Sequence, residues 1–183
     1  MRTPNKVFHA RIACSAVLLS AAAGVALAQN SSTAAEPPLQ TSPDVLQLPQ
    51  LAARAKALLA QARKENGSVS LTLSRYPGHY TMLSARTTSG GGEVHTRVSD
   101  FLIVIDGEGT ELTGGTMVDP KPGDNGEIRG TRLEGATPHV LHKGDVIHIP
   151  AGTPHQAIVA PGQSITLFVI KVEDPAAAST SAH

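Results

Sequence analysis

The sequence predicts an all-β domain preceded by one helix, and two patterns carry this prediction. After Gly67, short runs of β-branched and apolar residues alternate with Gly, Pro, Asn or Asp every eight to twelve positions. This spacing is typical of a β-sandwich or a β-barrel. Before Gly67, apolar residues recur at steps of three and four, which indicates an amphipathic helix.

The composition narrows the class of protein. The chain has 183 residues, of which 40% are hydrophobic and 16% are charged, with 15 basic and 15 acidic side chains. This length favours one domain with tails over two independent domains. The balanced charge argues against disorder caused by self-repulsion and against a basic nucleic-acid-binding protein. The composition therefore indicates a neutral globular protein and gives no support to nucleic acid as the partner.

The N-terminal segment has the form of an export signal. Three basic residues precede a small, apolar stretch at 12–27, and Ala26-Leu27-Ala28 has the small-x-small form of a cleavage site. The stretch has ~16 residues, fewer than the ~20 of a spanning helix. We interpret residues 1–28 as a cleaved signal, so the mature protein is expected in the periplasm or secreted, with no membrane contact. An uncleaved anchor is the alternative. Cleavage would also remove Cys14, the single cysteine.

The mature chain is expected to begin with a flexible region and a helix. Residues 29–43 are mostly Ser, Thr, Ala, Pro and Gln, which predicts a disordered tether. The helix is predicted within 44–67, with Pro49 in its first turn and Gly67 at its end. Its Leu/Ala face is expected to cover the outside of a sheet, because the polar face has few positive charges for binding a membrane.

The β-domain is predicted over 68–173, and residues 174–183 are predicted to be a disordered tail. Turns are expected at Asp106-Gly107 and at the other Gly- and Pro-rich positions between strands. The predicted strands are 69–74, 80–87, 93–95, 101–105, 110–117, 127–133, 139–142, 146–149, 156–159 and 165–172.

Two segments carry the residues suited to chemistry. In the first, Glu93 and His95 lie two positions apart on a strand and so project to the same face. Asp100 follows on the next strand and shares a face with alternate apolar residues. The second segment runs from Gly144 through Pro150 and Gly152 to His155, which begins a returning strand.

These residues form a candidate metal site if both segments line one cavity. Glu93, His95, Asp100 and His155 would then offer two imidazoles and one or two carboxylates to a divalent ion. Two histidines with a carboxylate can hold iron, zinc, manganese or nickel. The sequence has no cysteine spacing of a structural zinc site.

The two segments resemble the two signatures of the cupin superfamily. Gly144-x5-Pro150-x-Gly152-x2-His155 is similar to the second signature, and Glu93-x-His95-x4-Asp100-x6-Gly107 has the frame of the first. Glu93 stands where the family has histidine, which favours harder metals, and Asp100 stands where it has glutamate. Asp100 is shorter, so it would contact an ion directly or through a water. The resemblance covers about 100 residues and implies a double-stranded β-helix, a jelly-roll barrel with a metal inside.

What this resemblance implies for activity stays broad. Dioxygenase, isomerase and lyase activities occur in the family, so a metal-dependent enzyme acting on a small oxygen-bearing molecule is one hypothesis. A carboxylate left off the metal, Glu93 or Asp100, would be its general base. The alternative is a non-catalytic binding or storage protein. A metal-free barrel used for association is a third hypothesis, and the apolar face of residues 101, 103 and 105 would then form a homodimer unless the helix covers it.

Other polar residues have two interpretations each. Arg129 would bind an anionic substrate or pair with a neighbouring carboxylate. His148 is at most a pocket-lining residue, whereas His139 and His142 are expected at the surface. Tyr80, with its neighbours Tyr76 and His79, would line the barrel mouth or flank a turn.

Overall fold

The computed structural model describes residues 35–174. The expected export signal at 1–28, the start of the expected tether and residues 175–183 of the expected tail lie outside this part of the chain. Within it, Leu39 forms a single parallel bridge with Arg75, and Asp44 accepts hydrogen bonds from Ser74 and Tyr76 at 3.1 Å each. The segment before the helix therefore contacts the edge of the barrel.

The described residues form one α-helix, one short 3₁₀ turn and twelve strands. The elements are α1 (Leu48–Ala62), β1 (Ser68–Tyr76), β2 (His79–Arg86), β3 (Gly92–His95), β4 (Val98–Thr113), β5 (Thr116–Val118), β6 (Lys121–Pro122), the 3₁₀ turn (Asp124–Gly126), β7 (Glu127–Gly130), β8 (Arg132–Glu134), β9 (Thr137–His142), β10 (Val146–Ile149), β11 (His155–Ile158) and β12 (Ile165–Glu173).

Helix α1 packs on the outer face of the barrel, as its apolar stripe predicts. Leu51, Ala55, Leu58 and Ala62 are buried and form one cluster with Leu83 of β2 and its neighbours. This spacing of three and four places all four side chains on one face. The helix is shorter than the 44–67 segment. None of the helices at residues 35–174 is long and apolar enough to cross a membrane.

Ten of the twelve strands form two antiparallel sheets that share one long strand, and β5 and β8 pair separately. One sheet contains β1, β2, β12, the first half of β4 and β10, and the other contains β6, β7, β3, β11, the second half of β4 and β9. The interior between them is an apolar cluster, and its buried members are Leu102, Val104, Leu141, Ile149, Val159, Ile165, Leu167 and Val169. The polar residues described below lie on the same inward faces.

The expected turn at Asp106-Gly107 is wrong. Strand β4 continues through it, so the predicted strand 101–105 and the first part of the predicted strand 110–117 belong to one strand, and the end of 110–117 lies in β5. The pairing with β12 shifts here, because Leu167 faces Val104 while Thr166 faces Asp106, and Gly107 has a φ of +82°. Ile105, between these two pairs, is the extra residue with no partner in β12, and an extra residue of this kind is a β-bulge. The bulge bends β4 from one sheet into the other.

A second expected strand, 127–133, is divided in the structure. Gly130 ends β7, which pairs with β3, and Arg132 begins β8, which pairs with β5. A side chain at Gly130 would overlap the side chain of Met117 and the carbonyl of Val118. The close approach of these strands therefore requires glycine at this point.

The outward face of β4 is covered in part by the helix. Ile105 packs against the helix cluster, and Phe101 stacks on the ring of His148 with centroids 4.4 Å apart. The alternative in which α1 covers this face is therefore confirmed for Ile105.

Candidate metal centre

Three of the four expected ligands form a compact group inside the barrel. Glu93 and His95 project inward from β3, and His155 projects inward from β11, directly opposite Glu93. One donor atom from each residue lies within 4.8 Å of the other two. The two imidazole rings are 5.1 Å apart between centroids. Two segments separated by about 60 residues of sequence therefore converge, as the two-segment hypothesis requires.

Asp100 lies beside this group. It is on the inward face of β4 and is only 3% exposed. Its Oδ2 is 3.5 Å from Nε2 of His95 and 3.7 Å from Nε2 of His155. Its Oδ1 is buried and has no hydrogen-bond partner within the described part of the chain. An unpartnered buried carboxylate oxygen is costly unless a cation or a donor reaches it.

The distances between the donor atoms fit a metal ion. Nε2 of His155 is 3.5 Å from Oε1 of Glu93, which is comparable to the two separations involving Asp100. Four donors that hold an ion tetrahedrally at ~2.1 Å are about 3.4 Å apart. The donor set of two imidazoles and carboxylate oxygen is also chemically suited to a divalent ion. Glu93, His95 and His155 could therefore hold a metal ion.

The ring nitrogens that face the site are the Nε2 atoms. Nδ1 of His155 is 3.0 Å from the carbonyl oxygen of Thr153, so this nitrogen carries the proton and donates it. Nδ1 of His95 is 3.4 Å from Oε1 of Glu127. A partner of this kind fixes the tautomer and orients the ring of a metal-bound histidine. Both rings are therefore held with Nε2 directed at the centre.

A lysine that the sequence analysis did not single out enters the same centre. Lys171 lies on the inward face of β12, opposite Asp100 on β4. Its ammonium group donates to Oδ2 of Asp100 at 2.6 Å and to Nε2 of His95 at 2.7 Å. Since Nε2 accepts this hydrogen bond, it bears no proton in this arrangement.

The charged groups of the centre shift the pKa values of Glu93 and His155 in opposite directions. Burial alone would raise the pKa of Glu93, but its hydrogen bond with His155 and the positive charges of His155 and Lys171 lower the pKa well below its usual range. Burial alone would lower the pKa of His155, but its hydrogen bond with Glu93 and the nearby negative charge raise it. The imidazole thus sits where positive charge is favoured.

Two further residues complete the wall beside β3. Arg129 lies opposite Glu93 and donates to its Oε2 at 3.2 Å, while its Nε donates to Oε2 of Glu127 at 2.9 Å. The hydrogen bond with His95 is the main cause that lowers the pKa of Glu127, and Arg129 lowers it further. Of the two interpretations of Arg129, the pairing with a carboxylate is confirmed.

The remaining candidates lie apart from the four expected ligands. His148 is exposed on the outer face of β10, where its ring stacks on Phe101, and so it does not line the cavity. His142 is exposed, as expected, whereas His139 is half-buried and its Nε2 is 2.8 Å from Oγ1 of Thr113. Strand alternation explains this, because His139 lies two positions from Leu141 of the core.

The aromatic residues that were expected to line the barrel mouth or flank a turn lie in different surroundings. Tyr76 and His79 stack across the turn between β1 and β2, with ring centroids 4.6 Å apart. Tyr80 lies opposite Lys171. Burial, and then the charges of Asp100 and Glu127, raise the pKa of Tyr80 to about 12, so its hydroxyl stays neutral near pH 7.

Of the two site residues that were not predicted, Lys171 has a signal in the sequence and Glu127 has none. Lys171 follows Val169, Leu167 and Ile165 at steps of two, so the alternation of β12 places it on the inward face. Glu127 has no comparable signal, because its contact with His95 depends on the pairing of β3 with β7, which the sequence does not specify.

No protein-family model and no curated protein sequence matches the chain. Solved structures do. Protein BH2720 of Bacillus halodurans is 20% identical, with a TM-score of 0.50, and the match covers 73% of this chain and 83% of that one. The Cnp3 cupin domain of Schizosaccharomyces pombe is 9% identical, with a TM-score of 0.47 and coverages of 62% and 70%. An oxalate oxidase is 17% identical, with a TM-score of 0.44 and coverages of 60% and 52%, so the chain spans about half of its length.

The match at a TM-score of 0.50 shows a shared fold. In this chain, two curled antiparallel sheets share β4, and the residues of both sequence signatures meet on inward faces between them. The chain therefore has the double-stranded β-helix fold, a jelly-roll barrel, that the sequence predicts.

Proposed function

We propose that this protein binds a divalent metal ion in its barrel and uses it to act on a small oxygen-bearing molecule. The observation that carries the proposal is the convergence of Glu93, His95 and His155, whose donor atoms lie within 4.8 Å of one another. The separations to Asp100 make it the fourth donor, directly or through water. Iron, manganese, zinc and nickel all accept this donor set.

The protein's own residues would prepare this centre for an ion. Thr153 and Glu127 hold the two imidazoles with Nε2 inward. Arg129 holds Oε2 of Glu93, which leaves Oε1 directed toward His155. These contacts fix the ligands before an ion arrives, and such preorganisation strengthens binding.

The proposed chemistry requires an ion that takes more ligands than these four donors, as in octahedral coordination, or an Asp100 that reaches the ion through water. A bound divalent ion supplies an open position at which a substrate oxygen is polarised. Oδ1 of Asp100 is buried and unpartnered within the described residues, so it is the group placed to accept a proton or hydrogen bond from that substrate. Apolar side chains such as Leu102 and Val169 lie on the same faces and exclude water.

The replacement of His155 by alanine tests the ligand assignment. His155→Ala removes one of three grouped donors, so the metal affinity is expected to fall by at least about 100-fold, more than is typical when a residue behind a ligand is lost. Metal content and affinity are measured on purified protein that carries no histidine tag. His142→Ala, which removes an exposed imidazole, is the matched control and should keep full stoichiometry. If His155→Ala also keeps full stoichiometry, the assignment is wrong.

A second measurement separates catalysis from capture. The metal-loaded protein is screened for thermal stabilisation by small acids, sugars and phenols, and each stabilising compound is then followed for conversion. Conversion that is lost in His155→Ala supports a metal-dependent enzyme. Saturable stabilisation without conversion supports a binding or storage protein instead.

A further inference from the structure

Lys171 occupies the position at which a metal ion would meet two of its ligands. The side chain of Lys171 is 12% exposed, and the side chain of its partner Asp100 is 4% exposed. Its ammonium group contacts Nε2 of His95 and Oδ2 of Asp100 at 2.7 and 2.6 Å. These are the same two atoms whose 3.5 Å separation suits a shared ion. The metal ion and the lysine therefore have two acceptors in common.

We propose that Lys171 is a built-in competitor of the metal ion, and that the centre exchanges a resident ammonium group for a divalent cation. This inference rests on the proposed metal-binding function and adds its regulation. In the metal-free protein Lys171 neutralises Asp100, and in the metal-bound protein Lys171 leaves His95. The affinity of the site for metal is therefore set partly by the release of Lys171.

Two features make the occupants mutually exclusive. Nε2 of a neutral imidazole has a single lone pair, which cannot serve a hydrogen bond from Lys171 and a metal bond at the same time. Repulsion between the two positive charges also prevents Lys171 and the ion from occupying the position together. An ion bonded at ~2.1 Å to both His95 Nε2 and Asp100 Oδ2 would lie no more than about 3 Å from the lysine nitrogen, where two cations repel strongly.

The same contacts give Lys171 a role when no metal is bound. Asp100 lies deep in the barrel, and Lys171, at 2.6 Å, is closer to its carboxylate than either His95 or His155. Removing one partner of a buried ion pair destabilises a protein, because the other charge remains buried. A lysine that competes with metal is thus also a lysine that stabilises the metal-free fold.

The variant Lys171→Met tests both consequences. Methionine keeps an unbranched apolar side chain and removes the charge. The affinity for Zn²⁺, measured by titration calorimetry, should rise roughly tenfold or more, because no cation has to be displaced. Without metal, the variant should melt at a lower temperature than the wild type, and saturating Zn²⁺ should raise its melting temperature by more. Visible absorption of bound Co²⁺ reports whether nitrogen and oxygen donors surround the ion.

Lys143→Met is the matched control. Lys143 also pairs with an aspartate, Asp106 at 3.3 Å, but both side chains are exposed. This variant should have wild-type metal affinity and nearly wild-type stability. If Lys171→Met does not fold, Asp100→Asn is compared with the double variant Asp100→Asn/Lys171→Met. Both variants lack the buried carboxylate, so tighter metal binding by the double variant would still show that Lys171 competes at His95.

The outcomes separate this inference from the proposed function. Equal affinities in the wild type and the folded Lys171→Met variant would overturn the competition and leave metal binding intact. Binding by Lys171→Met but not by the wild type would support the competition and overturn the proposed function of the wild-type protein. If neither folded protein binds Zn²⁺ or Co²⁺, both proposals are wrong.

Discussion

Glu111 is a buried carboxylate whose replacement by glutamine should change how stability depends on pH. It lies on the inward face of β4, opposite Ala157 and His139, and is 4% exposed. Burial raises the pKa of Glu111 from 4.5 to about 7. Glu111→Gln keeps the size of the side chain and resembles the protonated acid.

The direction in which stability changes with pH follows from the raised pKa of Glu111. Between pH 4.5 and 7 the unfolded chain has lost this proton while the folded protein keeps it, so the wild type loses stability as the pH rises. A shift of one pKa unit corresponds to ~1.4 kcal/mol, and the total loss is about 3 kcal/mol. Glu111→Gln cannot ionise and should lack this loss. The variant should therefore match the wild type near pH 4 and exceed its free energy of unfolding by about 3 kcal/mol at pH 8.

Urea unfolding followed by circular dichroism, at half-unit steps from pH 4 to 8 with a chelator present, measures this difference. Glu93 and Glu127 have lowered pKa values, so the stability that their ionised forms contribute is lost only as the pH falls below about 4.5. Glu108→Gln, at an exposed position of β4, is the control, and its difference in free energy of unfolding from the wild type should not change with pH. A difference for Glu111→Gln that is the same at every pH would refute the reasoning.

Two other substitutions have defined outcomes. Gly107→Ala should destabilise the protein by several kcal/mol in urea unfolding, because φ is +82° and the new Cβ would overlap a backbone carbonyl oxygen. Gly144→Ala, with a φ of +92° and open space, should cost only about 1–2 kcal/mol, so equal losses would contradict the role of the bulge. Glu127→Gln should weaken Zn²⁺ binding by about 10–100-fold in calorimetry, because His95 loses its orienting charge. The exposed Glu134→Gln is its control, and unchanged affinity in Glu127→Gln would show that this contact is unimportant.

The sequence was sufficient for features that depend on local pattern. The steps of three and four in α1 predicted both the helix and the face that it buries against Leu83. Most strands were predicted because the period of two and the turn residues agree. The failure at Asp106-Gly107 has a physical cause. An aspartate followed by a glycine with positive φ serves a hairpin turn and a β-bulge equally well, and only the partner strand distinguishes them.

The site was predictable to the extent that its residues lie in recognisable segments. The spacing around Glu93, His95 and His155 was enough to nominate them, and alternation along β3 gave the shared face of the first two. The partners of these residues depend on register between distant strands. Glu127 meets His95 only because β7 pairs with β3, and Lys171 meets Asp100 only because β12 pairs with β4. No local pattern specifies these pairings.

The contacts of this centre have one electrostatic cause. Glu93 and Asp100 place negative charge inside the barrel, close to its apolar cluster, and an uncompensated buried charge is costly. Compensation can come from a proton, as the raised pKa of His155 indicates, from the ammonium group of Lys171, or from a divalent ion. These three cations act on overlapping atoms, so each weakens the binding of the others. Metal affinity should therefore fall as the pH falls through the pKa of His155 in both wild type and Lys171→Met, with the variant tighter throughout.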